Sequence, residues 1–215
     1  MVSNTFRMEL KQAISYLSLA FLLAACSNSE SPSNNGNHSG VIMPLAIGNS
    51  WTYQVEPADS ANGVPTFTDS ITGFDTINGI AWFVVQRSSS GSPFYYREAS
   101  DGLHEALPFD TNGTFDNLCA KYPAQSGDHY TDSMWVSYHL AGDTTWKVMP
   151  GSSTTTVDSA DEVISVPAGT FHALKYEYFP HLNLLEQYFA PGVGMVQMGN
   201  LGGTVRYVLV HYSLH

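Results

Sequence analysis

Trp51-Thr52-Tyr53-Gln54-Val55-Glu56 alternates without a break, with Trp51, Tyr53 and Val55 on one side and Thr52, Gln54 and Glu56 on the other. Successive side chains of a strand point to opposite faces, so the stretch reads as a half-buried β-strand. Outward from it the pattern repeats. Thr66 to Phe74 reads as the next strand, and Asn78-Gly79 as a two-residue hairpin turn that needs positive φ at both positions. Ile80 to Gln86 returns, too apolar through Ala81-Trp82-Phe83-Val84-Val85 for a strand with one wet face. Ser88 to Ser92 is a loop, Phe94 to Glu98 a strand, Asp101-Gly102 a tight turn and Leu103 to Ala106 its return. Long helical periodicity is absent, and the turns fall about every ten residues, so the chain predicts an antiparallel β-meander.

Leu107 to Pro123 breaks that rhythm. Asp110 to Asp116 inside it resembles a calcium loop in composition, but it fails the EF-hand spacing of Gly and Glu and reads as a polar turn. Strands are expected again at Tyr130–Leu140, Thr145–Met149, Thr154–Ser165, Phe171–Phe179, Leu185–Ala190, Gly194–Met198 and Thr204–Tyr212. The last is apolar on both faces, which places it centrally in a sheet.

Pro44 to Thr52 aligns with Pro123 to Thr131 at a constant offset of 79, matching Gly48-Asn49 to Gly127-Asp128 and Trp51 to Tyr130. Tyr95-Tyr96 followed by Gly102 likewise resembles Tyr188-Phe189 followed by Gly194. Two meanders side by side would make a sheet large enough to curl. The expected fold class is therefore all-β: a large curved antiparallel sheet, a half-open barrel, built from two meander pseudo-repeats over residues 41–215.

The N-terminus carries an address. Arg7 and Lys11 precede an apolar run from Ala13 to Leu23, which is too short and interrupted for a comfortable membrane span. Leu23-Ala24-Ala25-Cys26 resembles a bacterial lipobox. The resemblance implies cleavage between Ala25 and Cys26, acylation of the Cys26 sulfur by a chain such as palmitate, and acylation of the new amine. An ordinary signal peptide cut after Ala25 is the alternative. Residues 1–25 are then a signal peptide, and 26–40 an acylated cysteine followed by a Ser/Asn/Gly-rich tether, His38 included, that buries no core. Such a tether has a reach of roughly 20 Å. Ser27, by analogy with enterobacterial sorting, directs the protein to the inner leaflet of the outer membrane.

Without residues 1–25 the chain holds 6 Lys+Arg against 18 Asp+Glu, a formal charge of −12. That balance argues against nucleic acid and against electrostatic adhesion to anionic lipid. Cys119, in the apolar Leu118-Cys119-Ala120, has no His or cation beside it in sequence and reads as an inert thiol. No Gly-x-Ser-x-Gly, His-Glu-x-x-His, paired Cys or Walker loop occurs. His211 and His215 would stand about 13 Å apart on a strand, too far for one metal. His104 and Glu105 would face opposite ways. No metal, cofactor or catalytic residue is expected.

Three segments together resemble a family of uncharacterised bacterial envelope lipoproteins: Gly48-Asn49-Ser50-Trp51-Thr52-Tyr53, Val166-Pro167-Ala168-Gly169-Thr170-Phe171 and Ala190-Pro191-Gly192-Val193-Gly194. The resemblance implies an architecture similar to half-barrel periplasmic lipoprotein carriers, with no catalytic residues to carry over. Gln125 and Ser126 depart from the apolar residues usual at that corner. The expected function is a non-catalytic, membrane-anchored binding or carrier module for an apolar or amphipathic ligand. Trp51, Trp82, Tyr96 and Tyr188 are the candidate binding-face aromatics. The alternative is a structural lipoprotein that packs on an envelope protein partner and holds no ligand.

Overall fold

The computed structural model describes residues 40–56, 65–109, 113–138, 147–179, 185–200 and 205–215. The signal peptide, Ala25, Cys26 and the tether up to residue 39 lie outside them. So do residues 110–112 of the calcium-like segment, His139 and His181.

Twelve antiparallel strands make one sheet: β1 Ser50–Glu56, β2 Thr66–Ile77, β3 Ile80–Arg87, β4 Phe94–Ala99, β5 Gly102–Phe109, β6 Gly113–Lys121, β7 His129–Tyr138, β8 Lys147–Val166, β9 Gly169–Phe179, β10 Leu185–Ala190, β11 Gly194–Asn200 and β12 Arg206–Ser213. Their spatial order is β6-β5-β4-β3-β2-β1-β12-β11-β10-β9-β8-β7. Each half is thus a six-stranded meander, and the halves join where β1 pairs with β12. The curved antiparallel sheet of two meander repeats expected from the sequence is the fold observed, and β12 is central as its two apolar faces require.

At the two corners the repeat holds at the level of single hydrogen bonds, although their partners Ile71 and Val157 stand 86 residues apart. Asn49 N donates to Ala46 O (3.1 Å) and Asp128 N to Gln125 O (3.0 Å). Gly48 N reaches Ile71 O and Ile71 N reaches Asn49 O, while Gly127 N reaches Val157 O and Val157 N reaches Asp128 O, all between 2.8 and 3.0 Å. Gly48 (φ 95°) and Gly127 (φ 89°) turn both corners through backbone conformations that side chains resist. The first strand of each repeat therefore starts from the same built corner.

Two expectations need correction. Leu107 to Pro123 is not a break: β6 occupies Gly113–Lys121. Its signal is hidden because polar residues stand on both faces, Asp116 toward Arg97 and His104, and Asn117 toward Ser133. Thr145–Met149 and Thr154–Ser165 are not two strands, since Lys147–Val166 is continuous. Pro150-Gly151-Ser152 resembles a turn, yet these residues stay in register with β7, Pro150 opposite Trp135 and Ser152 opposite Ser133.

The core begins at the end of the barrel where the chain enters and runs on to Tyr53, Phe67, Val85 and Phe94. Ile42, Met43, Trp51, Leu103, Ala120, Phe171, Val193 and Met195 are fully or nearly fully buried at the entry end. Among the described residues no helix is long and apolar enough to cross a membrane.

Candidate functional site

The four candidate aromatics are all buried: Trp51 is 0%, Trp82 1%, Tyr96 1% and Tyr188 8% exposed. Trp51 belongs to the packed end, where its indole N–H donates to Val193 O at 2.9 Å. Tyr53, on the same face of β1, donates its hydroxyl to Met195 O at 3.0 Å and stacks on Phe67. Both side chains therefore tie the first repeat to the backbone of the second. The Trp82 ring lies under the Arg97 guanidinium, 5.2 Å from its centroid, and its Nε1 has no hydrogen-bond partner.

Further along the barrel the core-facing wall turns polar. Register runs Phe83, Tyr96, Glu105 and Asn117 across β3 to β6 in one row. A second row runs Leu185, Tyr178, Thr155 and Tyr130 across β10 to β7, with Asp132 and Ser153 paired beside it. The two rows meet where β6 faces β7.

That meeting is a seam held by side chains. Asn117 Nδ2 donates to Ser133 O, Leu118 N to Asp132 Oδ1 at 3.0 Å, and the Tyr130 hydroxyl to Cys119 O at 3.1 Å. Near the packed end the Tyr176 hydroxyl donates to Lys121 O at 2.6 Å. The backbone ladder that joins β1 to β12 has no counterpart between β6 and β7 among the described pairings. Sequence reasoning missed this seam because it missed β6.

Glu105 is the central polar group of the wall. It accepts a hydrogen bond from the Tyr96 hydroxyl at 3.3 Å. Burial pushes its carboxyl up to about 8, against the lowering effects of that bond and of Arg87, while part of its surface stays accessible. A group that is desolvated yet accessible lines the inside of the barrel rather than its outer surface. Burial likewise pushes Glu98 up to about 7, although Met43 N donates to it. Burial drives the Cys119 thiol upward, and the neighbouring Glu105, Asp132 and Glu98 carboxylates add to the shift. Cys119 thus sits in an environment opposite to one that would form a reactive thiolate.

Among the described residues, the cation on this wall is already engaged. Arg87 binds Asp69 through two bonds, 2.7 and 2.6 Å long, and lies over the Phe67 ring at 4.1 Å. Burial pushes Asp69 up to about 6 despite Arg87, so the pair stays ionised at neutral pH.

His104 and Glu105 do face opposite ways. His104 Nδ1 lies 2.7 Å from Asp116 Oδ1 and its Nε2 3.0 Å from Asp101 Oδ1, and Arg97 completes the cluster with Asp116 at 2.6 Å. The imidazole is a buried cross-strand strut over β4, β5 and β6. No group of three or more His, Cys, Asp or Glu among the described residues is arranged to hold a metal ion.

No family model matches the chain, and no curated protein does either. Two solved structures are similar to it. One is a protein described as exported, with a YmcC-like fold, from Bacteroides fragilis: 12% identity, TM-score 0.45, covering 80% of this chain and 99% of that one. The other is described as a lipoprotein, from Parabacteroides distasonis: 14% identity, TM-score 0.44, covering 80% of this chain and 98% of that one. Likeness at this level leaves the use of the fold to be argued from the chain's own geometry.

Proposed function

We propose that the protein is a non-catalytic binding module of the bacterial envelope, anchored through Cys26, that seats an amphipathic ligand inside the barrel beside the β6/β7 seam. The observation that carries the reading is Glu105, a carboxyl on the core-facing wall that keeps accessible surface and, among the described residues, is hydrogen-bonded by the Tyr96 hydroxyl alone. The wall's charges select the head group. Arg87 is spent on Asp69, whereas Glu105, Glu98 and Asp132 are carboxyls. A fatty-acid carboxylate or a phosphate would find no free cation there. A hydroxyl, amide or amine head finds hydrogen-bonding groups in Glu105, Tyr96 and Tyr178. The apolar tail would lie toward Phe83 and the core aromatics.

The test uses the chain from Ser27 onward and the neutral probe N-phenyl-1-naphthylamine. The expected result is saturable binding with native near-ultraviolet dichroism preserved, competed by a long-chain alkylamine or alkylamide and not by a fatty acid. Glu105→Leu should weaken the alkylamine competition selectively. Absence of saturable probe binding would support the second reading, a ligand-free lipoprotein that packs on an envelope partner. The burial of Trp51 and Tyr96 on the core-facing side favours that second reading, because their rings occupy part of the interior. The anchor is tested separately: Cys26→Ser should abolish metabolic labelling by a fatty-acid analogue, and persistent labelling would contradict it.

A further inference from the structure

The repeat also relates two hairpins, β2–β3 and β8–β9, and they behave differently. Phe74 pairs with Phe83 and Asp75 with Trp82 in the first, and Val163 pairs with His172 and Ile164 with Phe171 in the second. The second hairpin folds back onto the body. Ala168 N donates to Leu209 O at 3.0 Å, Ile164, Val166 and Ala168 pack against the core, and Phe171 meets Tyr212 at 5.9 Å. The first projects past its neighbours. β1 pairs with β2 only as far as Ser70, and β4 pairs with β3 only from Phe83, so among the described residues Gly73 to Ala81 has no paired strand on either flank.

The projecting tip is apolar on both faces. Phe74, 59% exposed, stacks on Phe83 at 4.4 Å on one face. Ile77 and Ile80, the latter 41% exposed, pair across the turn on the other. A protein groove would cover one face, whereas a lipid interface takes both. Position points the same way. β1 starts and β2 ends at the same end of the barrel, and there Gly192 N binds Val41 O, where the chain joins the body. Ile47, 53% exposed, lies at that end too. Only residues 27–39 separate Cys26 from Gly40, where the described chain begins at this end.

We propose that the β2–β3 hairpin tip, with Phe74, Ile77 and Ile80, rests in the head-group region of the bilayer that holds the acylated Cys26. The proposal rests on the lipoprotein reading. Contact is shallow, because the unpaired flanks of Gly73 to Ala81 cannot be satisfied in hydrocarbon. It is independent of lipid charge, because Asp75 is the only charged residue from Thr72 to Phe83. The body then stands with this end on the membrane and with Glu56 and Arg87, at the far ends of β1 and β3, away from it.

The test uses the full, processed lipoprotein in phosphatidylcholine vesicles, with an environment-sensitive thiol label at Ile80→Cys or, at the opposite end, Val205→Cys. Every variant also carries Cys119→Ser, so that the label reports on the introduced position. The expected result is a blue shift of the label at 80, strong quenching by a head-group quencher, weak quenching by a deep acyl-chain quencher, and no change at 205. Equal signals at 80 and 205 in a chain that floats with the vesicles would overturn the hairpin contact and leave the anchor standing. A chain that lacks acyl mass on Cys26 and does not float would overturn the anchor reading and this proposal with it. A blue shift at 80 already present without vesicles would assign the tip to a protein contact and overturn the bilayer as its occupant. Phe74→Ser with Ile80→Ser should leave the thermal midpoint unchanged, because both side chains are exposed. In that background, with the label moved to Ile77→Cys, the vesicle-dependent blue shift should be lost.

Discussion

Two junctions close this sheet on itself, and the repeat makes them counterparts. β1 meets β12 in a backbone ladder from Ser50↔Ser213 to Glu56↔Arg206, interrupted only between Thr52 and Tyr53. β7 meets β6 through side chains. The corners that launch β1 and β7 are the same, bond for bond, so the corner does not decide the outcome. The side chains that follow do. At the offset of 79, Trp51 becomes Tyr130 and Tyr53 becomes Asp132. Tyr53 sends its ring into the core and leaves its backbone to pair with Leu209. Asp132 instead gives its carboxylate to the amide of Leu118, a donor that a ladder would hand to a carbonyl. One half of a duplicated sheet has been sealed, and the other is held by exchangeable polar contacts, with the polar wall and Glu105 beside it.

Substitution at the paired positions should break the two junctions unequally. Trp51→Ala empties a site with no exposed surface and should cost about 3–5 kcal/mol. Tyr130→Ala, at a half-buried ring, should cost less, about 1–3 kcal/mol. Chemical denaturation of both variants checks this, and equal losses would mean the seam carries as much of the fold as the ladder. Asp132→Ala removes a charged acceptor from a backbone amide and should cost about 1.5–3 kcal/mol. Asp132→Asn, which keeps an acceptor, should recover most of that loss. The two corners separate by a smaller margin. Alanine at Gly48 or Gly127 meets a positive φ and should cost about 1–2 kcal/mol. The Gly48 variant should be the worse of the two, since its Cβ would come within 3.3 Å of His215, whereas Gly127 faces open space.

Glu105→Gln should change the pH dependence more than the stability near neutrality. The folded protein holds the Glu105 proton up to about pH 8, while an unfolded chain releases it near about 4.3. Across that window the folded state binds the extra proton, so stability is greatest below it and falls as pH rises through it. Gln keeps an acceptor for the Tyr96 hydroxyl and removes this contribution, leaving those of Glu98 and Asp69, whose windows close at about 7 and about 6. Thermal midpoints across the window check it, and an unchanged slope would place Glu105 in solvent.

The ladder half was legible in the sequence because its residues obey simple alternation. Trp51, Tyr53 and Val55 announce β1, Asn78-Gly79 announces the first hairpin, and Leu185–Ala190 is β10 to the residue. The seam half was not, for physical reasons. β6 carries Asp116 and Asn117 in mid-strand because one serves the His104 strut and the other reaches Ser133. Pro150-Gly151 in β8 resembles a turn, yet the strand runs through it in register with β7. Four aromatics were singled out from the sequence. Trp51 proves to be part of the packed end, whereas the polar partners that give Tyr96 its setting, Glu105 and Asn117, come from strands whose pairing only the fold reveals.

Native-state hydrogen exchange tests the difference between the two junctions most directly, since amide protection reports local opening strand by strand. The backbone amides of β1 and β12 should exchange only with global unfolding. Those of β6 from Asp116 to Ala120, and of β7 from Tyr130 to Ser133, should exchange well before it, and Asp132→Ala should speed the seam without touching the ladder. Equal protection at the two junctions, or an Asp132→Ala variant that loosens both together, would contradict it.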